Sequence, residues 1–394
     1  METNTSTTVD VEVERILPGG VGLAHAEGLT IFVSLAAPGD IVRVEIDRTR
    51  GKVAFASIKE IIKPSPVRVE PPCPYFGRCG GCDFQQLNYE TQLKAKVEII
   101  QDCLHRIAQV EVPPDIPIHP SPKQWHYRAR ANWQFDPITN RLGYFARGSH
   151  DVCDVAECAV LDAELEATLE KLRPGIKNNS LTMRSKDIEA VAGDYSVSVS
   201  PALEGFPSTA VTRTIGGEIY SFNAECFFQT NLDLLESMIA EAIREARGKS
   251  AVDLFCGAGL FTLPLARRVD RVVGVESHSR ASAFARQNLQ SAKLENAEIF
   301  TTRVGDWLKE HSGSFGQVDF LLLDPPRAGC ENIVIAGILK LRPQRIAYVS
   351  CDPATLARDL KKLTAGGYSL DSVAAFDMFP QTHHVETVVR LLVA

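Results

Sequence analysis

The chain contains no apolar run approaching the ~18 residues that a membrane-spanning helix needs. Its first residues, METNTSTTVD, are polar where an export signal would carry an apolar core. Both absences point to a cytoplasmic protein. Positive charge is not in excess either, since 42 Lys and Arg stand against 49 Asp and Glu, for a net charge of -7. That balance argues against a protein held to a polyanion by bulk charge, because counterion release requires clustered Lys and Arg; nucleic-acid contacts would have to come from local clusters. Internal repeats and low-complexity tracts are missing too. Ten cysteines are present, and without an export signal they suggest metal-binding or catalytic thiols rather than a disulfide framework.

At 394 residues with 45% apolar content, the chain has material for two or three cores. Residues 9 to 63 alternate short β-rich runs, among them LTIFVSL, DIVRVEI and VAFASIKEII, with Gly and Pro turns, the pattern of a small all-β barrel. The proline-rich KPSPVRVEPPCP reads as a linker. Leu93, Val97, Ile100 and Leu104 recur at helical spacing and predict a helix from Asn88 to about Val110. A mixed region runs to about Phe222. Beyond it the strands AVDLF, RVVGVE, VDFLLLD, RIAYVSC and VETVVRLL alternate with helices, which predicts a doubly wound α/β domain with a mostly parallel sheet. The expected division is therefore a barrel over 1–64, a mixed α+β middle over 65–222 and the α/β domain over 223–394.

In DLFCGAGLFTLPLA, Gly257 and Gly259 fall at the turn between a buried strand and a helix, where glycine lets backbone approach a ligand closely. Glu276 ends the next strand, in position to accept both ribose hydroxyls of a nucleoside. The third glycine of a dinucleotide fingerprint is replaced by Thr262, and a pyrophosphate is the ligand that needs the complete turn. S-adenosylmethionine, which has a ribose and no phosphate, fits better.

Asp324 and Cys351 also close strands, and ligands of open α/β sheets bind outside the carboxyl ends of strands. Glu276, Asp324 and Cys351 should therefore converge. Cys103, Cys226, Cys256 and Cys330 read as small buried hydrophobes. Cys351 differs in preceding Asp352-Pro353 and the helix ATLARDL, whose N-terminal dipole is expected to lower its pKa. Nearby lie His383, His384 and Glu386. A Cys–His pair and a Cys–Glu pair are both compatible with the spacing, as is the plain alternative of solvated loop residues.

DPPRAG (324–329), YVSCDPATLARDL (348–360), DMFPQTHHVET (377–387), FFQTN (227–231) and CPYFGRCGGCDFQQL (73–87) together resemble the motifs of the RNA 5-methyluridine methyltransferases, and the N-terminal barrel resembles their OB-like TRAM domain. The similarity spans nearly the whole chain, with the iron-sulfur members that act on 23S ribosomal RNA most alike. Carried over, it implies a Rossmann-like methyltransferase domain, Cys351 as nucleophile, Glu386 as proton acceptor, and Gln229, Phe255, Glu276 and Asp324 as contacts of S-adenosylmethionine. Leu260 departs from the Asn that many members carry within the glycine turn. Arg303 and Asp306 compete for the adenine-edge position.

Such chemistry explains the residue types. Carbon 5 of uracil is a poor nucleophile until a thiolate adds at carbon 6, and a carboxylate must afterwards remove the carbon-5 proton. An RNA partner, 23S ribosomal or transfer RNA, would present its uridine flipped out or in a loop, to an enzyme expected as a monomer. Residues 123 to 147 carry five Lys or Arg and six aromatics, matching either a single-strand RNA surface or an amphipathic sheet. The turn RTRGK (48–52) adds three positive charges.

Three alternatives remain on this reading. An amino-group methyltransferase also uses Asp-Pro-Pro but not Cys351. A methylthiotransferase of the radical type joins a cluster to such a barrel but spaces its cysteines as Cys-x3-Cys-x2-Cys, unlike the Cys-x5-Cys-x2-Cys here. The third is a zinc-stapled RNA-binding module. Cys73, Cys79 and Cys82 need a fourth ligand, and spacing allows Cys153 or Cys158. The family pattern selects Cys158 and a 4Fe-4S cluster.

Overall fold

The computed structural model describes residues 7–177, 186–313 and 316–394; the polar stretch 1–6 lies outside them. The first six strands are β1 (Thr8–Glu12), β2 (Arg15–Leu17), β3 (Val21–Ala26), β4 (Leu29–Val33), β5 (Ile41–Arg50) and β6 (Val53–Lys63). They form one sheet in the order β1-β5-β6-β4-β3-β2. β1 and β2 stand at its two ends yet are separated by only Val13 and Glu14, so one stretch of chain supplies both edges. The sheet thereby curls around Val13, Ile31, Val33, Val42 and Val44, all buried.

Helix α1 (Tyr89–Cys103) begins where the Asn88 side chain accepts the Thr91 amide at 2.9 Å. It continues through a wider π turn, Leu104–Ala108, and stops at Gln109 with φ +57°. The expected helix is thus present with its cap. The short strand β7 (Ile118–His119) follows. Next comes an antiparallel sheet of β8 (Arg130–Asp136), β9 (Arg141–Phe145), β10 (Val152–Asp154), β11 (Asp187–Ala192) and β12 (Val197–Ser200), ordered β10-β9-β8-β11-β12. Helix α2 (Ala163–Lys177) covers it, packing Leu165, Leu169 and Leu172 with Trp133, Leu142 and Ile188. β13 (Val211–Ile215) and β14 (Glu218–Phe222) form a hairpin.

The remaining elements are α3 (Leu235–Ala242), β15 (Ser250–Leu254), α4 (Thr262–Ala266), β16 (Arg271–Glu276), α5 (Ser279–Ser291), β17 (Ala297–Thr301), α6 (Val304–His311), β18 (Phe320–Leu323), α7 (Asn332–Leu341), β19 (Arg345–Ser350), α8 (Pro353–Ala365), β20 (Tyr368–Phe376) and β21 (Glu386–Val393). Their sheet has the order β17-β16-β15-β18-β19-β21-β20-β7. Strands β15 to β19 run parallel to one another, and β21 lies antiparallel between β19 and β20. Along β15 and β18, Val252, Leu254, Leu321 and Leu323 enter one core while Ala251, Phe320 and Leu322 enter the other. Both faces are therefore buried, which accounts for strands that are apolar throughout.

Two differences from the sequence reading follow. The sheet has eight strands where the alternation names five, and one of them, β7, comes from far upstream. The stretch 65–222 is divided among cores: Ile99, Ile100 and Leu104 of the α1 region pack under the eight-stranded sheet, and the β13–β14 hairpin packs on its other face through Val211, Tyr220 and Phe222. No helix among the described residues is long and apolar enough to cross a membrane.

Candidate active site

Strand β15 ends in a turn where Phe255 has φ +63°, Gly257 +55° and Gly259 +89°. Left-handed backbone at a non-glycine residue such as Phe255 is held only where the surroundings dictate it. A Cβ at Gly257 would meet nothing within 4 Å, which leaves the turn open on that side, whereas one at Gly259 would lie 3.0 Å from Leu263 Cδ1. The two glycines thus serve different ends, an open cradle and a close helix contact. Glu276, at the tip of β16, accepts the amides of Gly257 at 3.0 Å and His278 at 2.6 Å. Its carboxylate is held beside the open turn by these two amides and by the Ser277 hydroxyl at 3.3 Å. These groups fit the ribose of a nucleoside cofactor. Beneath them Asp253 is fully buried; it accepts the Thr262 hydroxyl at 2.5 Å while its Oδ1 has no partner. Burial lifts its pKa to about 8. Leu260 is buried, and its carbonyl accepts the Tyr220 hydroxyl at 3.1 Å. Arg303 and Asp306 are both exposed at the start of α6, next to the end of β17.

On the other side of β15, Asp324 follows β18 and receives Gln229 Nε2 at 3.4 Å. Burial raises Asp324 to about 7, against the lowering effect of Gln229. Ser350 of β19 faces Thr387 of β21, so Cys351 and Glu386 are the next residues outward on the same antiparallel ladder. Glu386 is 2% exposed, and burial with Asp324 nearby pushes its carboxyl well above the usual range. Cys351 is half-buried. The sequence expectation of a lowered thiol pKa is corrected here. Burial, and then the Glu386 carboxylate, push Cys351 up to about 12, and desolvation outweighs the helix dipole.

Arg327 is the group that opposes this rise: its guanidinium favours the anions of both Cys351 and Glu386. The sequence reading quoted DPPR but stopped at Asp324, because nothing in one dimension places Arg327 against β19. His384 lies near as well, half-buried and pushed down to about 3, first by burial and then by His383 and Arg327. A neutral imidazole with so low a pKa is a poor proton acceptor. Phe227 was also passed over. It is 64% exposed, two residues from Gln229, with the Arg130 guanidinium 5.8 Å from its ring centre.

The basic and aromatic stretch 123–147 is mostly not a surface. Tyr127, Trp133 and Phe135 are buried, Trp133 completely. Arg130 pairs with Glu189, and Lys123 pairs with Asp233 at 3.1 Å. The amphipathic-sheet alternative holds, since alternate residues of β8 face the α2 core. On the barrel, the exposed Arg48 lies 4.2 Å over the Phe55 ring and Phe32 packs edge-on against Phe55 at 5.4 Å; both rings are half-buried and line a pocket with Cys103, Arg106 and Ile107 of the α1 region.

None of the ten cysteines forms a disulfide. Cys103, Cys226, Cys256 and Cys330 are buried, as expected of packing residues. Cys73, Cys79, Cys82 and Cys158 line one pocket together with Tyr75, Arg128 and Tyr144. Burial raises Cys79 to about 11 and Cys82 to about 12. Burial disfavours the Arg128 cation, but Tyr127, Tyr144, Cys82 and Cys158 together hold its pKa up, and its Nε is shielded without a hydrogen-bond partner. Cys153 stands half-buried on β10 and is not part of the pocket lining. Among the described residues no three His, Cys, Asp or Glu are drawn together as a single metal ion requires.

Comparison with known proteins matches this layout. Residues 213–393 fit the tRNA (uracil-5-)-methyltransferase family model, and residues 2–59 fit the TRAM domain. The 23S rRNA (uracil(1939)-C(5))-methyltransferase RlmD of Pectobacterium atrosepticum is 33% identical over 97% of this chain and 93% of its own length. An uncharacterized RNA methyltransferase of Thermotoga maritima is 32% identical, covering 97% and 98%. Among solved structures, the tRNA (uracil-54, C5)-methyltransferase of Pyrococcus abyssi, in complex with S-adenosyl-L-homocysteine, superposes with a TM-score of 0.75 at 25% identity over 97% of this chain and all of that one. From the cofactor turn, the paired Cys351 and Glu386, and this likeness along nearly its whole length, the chain belongs to the S-adenosylmethionine-dependent RNA (uracil-C5)-methyltransferases.

Proposed function

We propose that the enzyme methylates carbon 5 of a uridine in 23S ribosomal RNA through a covalent adduct on Cys351. The observation that carries this reading is the pairing of Cys351 with Glu386 on adjacent strands beside Asp324. An amino-group methyltransferase has no use for that thiol. Phe255, Gly257, Gly259 and Glu276 would hold S-adenosylmethionine, with Gln229 and Asp324 at its reactive end. Bound there, the cofactor supplies an electrophilic methyl group.

The chain's residues perform the rest. Cys351 adds as thiolate to carbon 6 of uracil, and the electron pair so released makes carbon 5 nucleophilic towards the methyl group. Glu386 as carboxylate then removes the carbon-5 proton; the C5–C6 double bond re-forms and the Cys351 sulfur leaves with its bonding pair. Arg327 stabilises the thiolate and the carboxylate, both of which burial disfavours. Asp324 and Gln229 orient the uracil and the methyl donor for in-line transfer. Phe227 offers a ring face on which a flipped base stacks.

Three parts divide the work: the barrel to residue 64, the cysteine-bearing middle to 222, and the transfer domain beyond. The barrel, read as OB-like, holds RNA through the exposed Arg48, Arg50 and Lys52. Cys73, Cys79, Cys82 and Cys158 would hold a 4Fe-4S cluster, for which four thiols around one pocket and the buried Arg128 cation are a fitting donor set and countercharge. Its contribution is to staple the linker to the β9–β10 region.

The ribosomal substrate rests on the bacterial relatives named for it. Transfer RNA is the second reading, favoured by the archaeal structure of similar fold. Mapping 5-methyluridine in cells lacking the protein separates them. Loss at one 23S position supports the first, and loss in transfer RNA with an unchanged 23S map overturns it.

A further inference from the structure

The segment Asp377–Val385 delivers Glu386 to the site, yet its polar contacts lie mostly outside its own domain. Asp377 is buried against Lys96 and receives the Tyr89 hydroxyl at 2.8 Å. The Phe379 carbonyl accepts Lys96 Nζ at 3.0 Å, and the Pro380 carbonyl accepts the Tyr127 hydroxyl at 2.9 Å. The Gln92 side chain donates through Nε2 to Gln381 Oε1 and accepts the Gln381 backbone amide at Oε1, both at 3.0 Å. Its carbonyl accepts the amides of Asp83 at 3.1 Å and Phe84 at 3.0 Å. Asp83 then returns the contact, its Oδ1 accepting the His383 amide at 2.8 Å and its Oδ2 lying 2.5 Å from His383 Nδ1.

Asp83 directly follows Cys82, so the clasp sits between the cysteine pocket and the residue two positions before Val385-Glu386. The barrel presses on it as well. A Cβ at Gly20 would lie 2.9 Å from His383 Cβ and 3.1 Å from Asp83 Oδ2, so only glycine lets the turn before β3 sit this close. Three parts of the chain meet at one carboxylate–imidazole pair that touches neither of the two reacting side chains.

We infer that Asp83 and His383 are positioning residues for Glu386: through their clasp the cysteine-bearing segment sets where the proton acceptor stands. This rests on the reading of Cys351 as nucleophile and Glu386 as base. The clasp acts on one step only. Addition of Cys351 and transfer of the methyl group need Cys351, Asp324 and the cofactor turn. Elimination breaks the C5–H bond, delivers the proton to Glu386, re-forms the C5–C6 double bond and expels the Cys351 sulfur, and it alone needs the carboxylate in register. A misplacement of about 1 Å can cost on the order of 100-fold in such a step.

The test uses the full chain, S-adenosylmethionine and RNA labelled with tritium at carbon 5 of uridine, and measures both methylated covalent complex on denaturing gels and tritium released to water. In Asp83→Ala and His383→Ala, tritium release should fall about tenfold or more while the covalent complex forms at near the normal rate and accumulates. Asp83→Asn, which keeps an acceptor for the His383 amide and a partner for its ring, should recover most of the release. A parallel fall in both signals, in the Asn variant too, or no change in either, overturns the inference. Glu386→Gln run beside them keeps the two claims apart: if it fails to accumulate the complex, the assignment of the base is wrong, whatever the Asp83 variants do.

Discussion

Cys351 and Glu386 leave neighbouring antiparallel strands at the same level, one residue beyond the Ser350–Thr387 pair. In the proposed mechanism nucleophile and base therefore approach the uracil from adjacent strands, with the Asp377–Val385 segment setting the stance of Glu386 at the start of β21. Replacing Glu386 by Gln keeps the size and removes the base. Adduct formation should persist and turnover should fall by about 10²- to 10⁴-fold, the usual contribution of a placed general base. Single-turnover kinetics, resolving adduct formation from product release, checks this.

Arg327 should govern how readily Cys351 ionises. With the thiol pushed up to about 12, its thiolate fraction rises about tenfold with each pH unit below that value. Alkylation of Cys351 by iodoacetamide should therefore climb steadily from pH 7 to 10. In Arg327→Met the lost cation raises the pKa further, so the climb should shift to higher pH and the rate at any one pH should drop. An unshifted profile would remove Arg327 from the reaction.

Asp253 makes a stability prediction of definite sign. Its folded pKa, about 8, exceeds the ordinary carboxylate value, so the folded state holds a proton that the unfolded chain has released. That contribution is complete below the unfolded pKa near 4 and is lost as pH rises through about 8. Asp324, raised to about 7, acts in the same direction. The melting temperature of the cofactor-free protein should fall between pH 5.5 and 8.5, and Asp253→Asn should flatten the fall. Differential scanning calorimetry across that range decides it.

The cysteine pocket predicts selective metal loss. Protein purified anaerobically should be brown with about four irons per chain. Cys158→Ser should bleach it and Cys153→Ser should not, because Cys158 lines the pocket and Cys153 does not. Bound zinc in a colourless preparation would contradict the assignment.

The parts of the molecule legible in sequence are those where one residue type has one use. Phe320 to Leu323 must be buried on both faces, so a central parallel strand could be read directly, and Asp324 at its end followed from the topology of open sheets. The stretch 123–147 was ambiguous because alternation reveals two faces without saying which is inside. Trp133 and Phe135 lie in the core, with Arg130 and Asn132 on the opposite side of the strand. Spacing left Glu386 and the two histidines open, and only the family resemblance named Glu386; the ladder that puts Glu386 opposite Cys351 is a relation between strands that one dimension does not show. Arg327 and Asp83 needed still more, since each works against a residue brought near only by folding, His383 lying 300 positions from Asp83. The thiol pKa was misjudged because the sequence displays the helix that follows Cys351 and not the depth at which it sits.

The covalent role of Cys351 is tested most directly with RNA in which the target uridine is replaced by 5-fluorouridine. Methyl transfer can proceed on that base, but no proton remains at carbon 5 for Glu386 to take, so elimination stops. A denaturation-resistant complex of protein, RNA and transferred methyl group is expected with the native enzyme and should be absent from Cys351→Ala. A complex that survives that substitution, or none with the native enzyme under conditions where ordinary RNA is methylated, would contradict it.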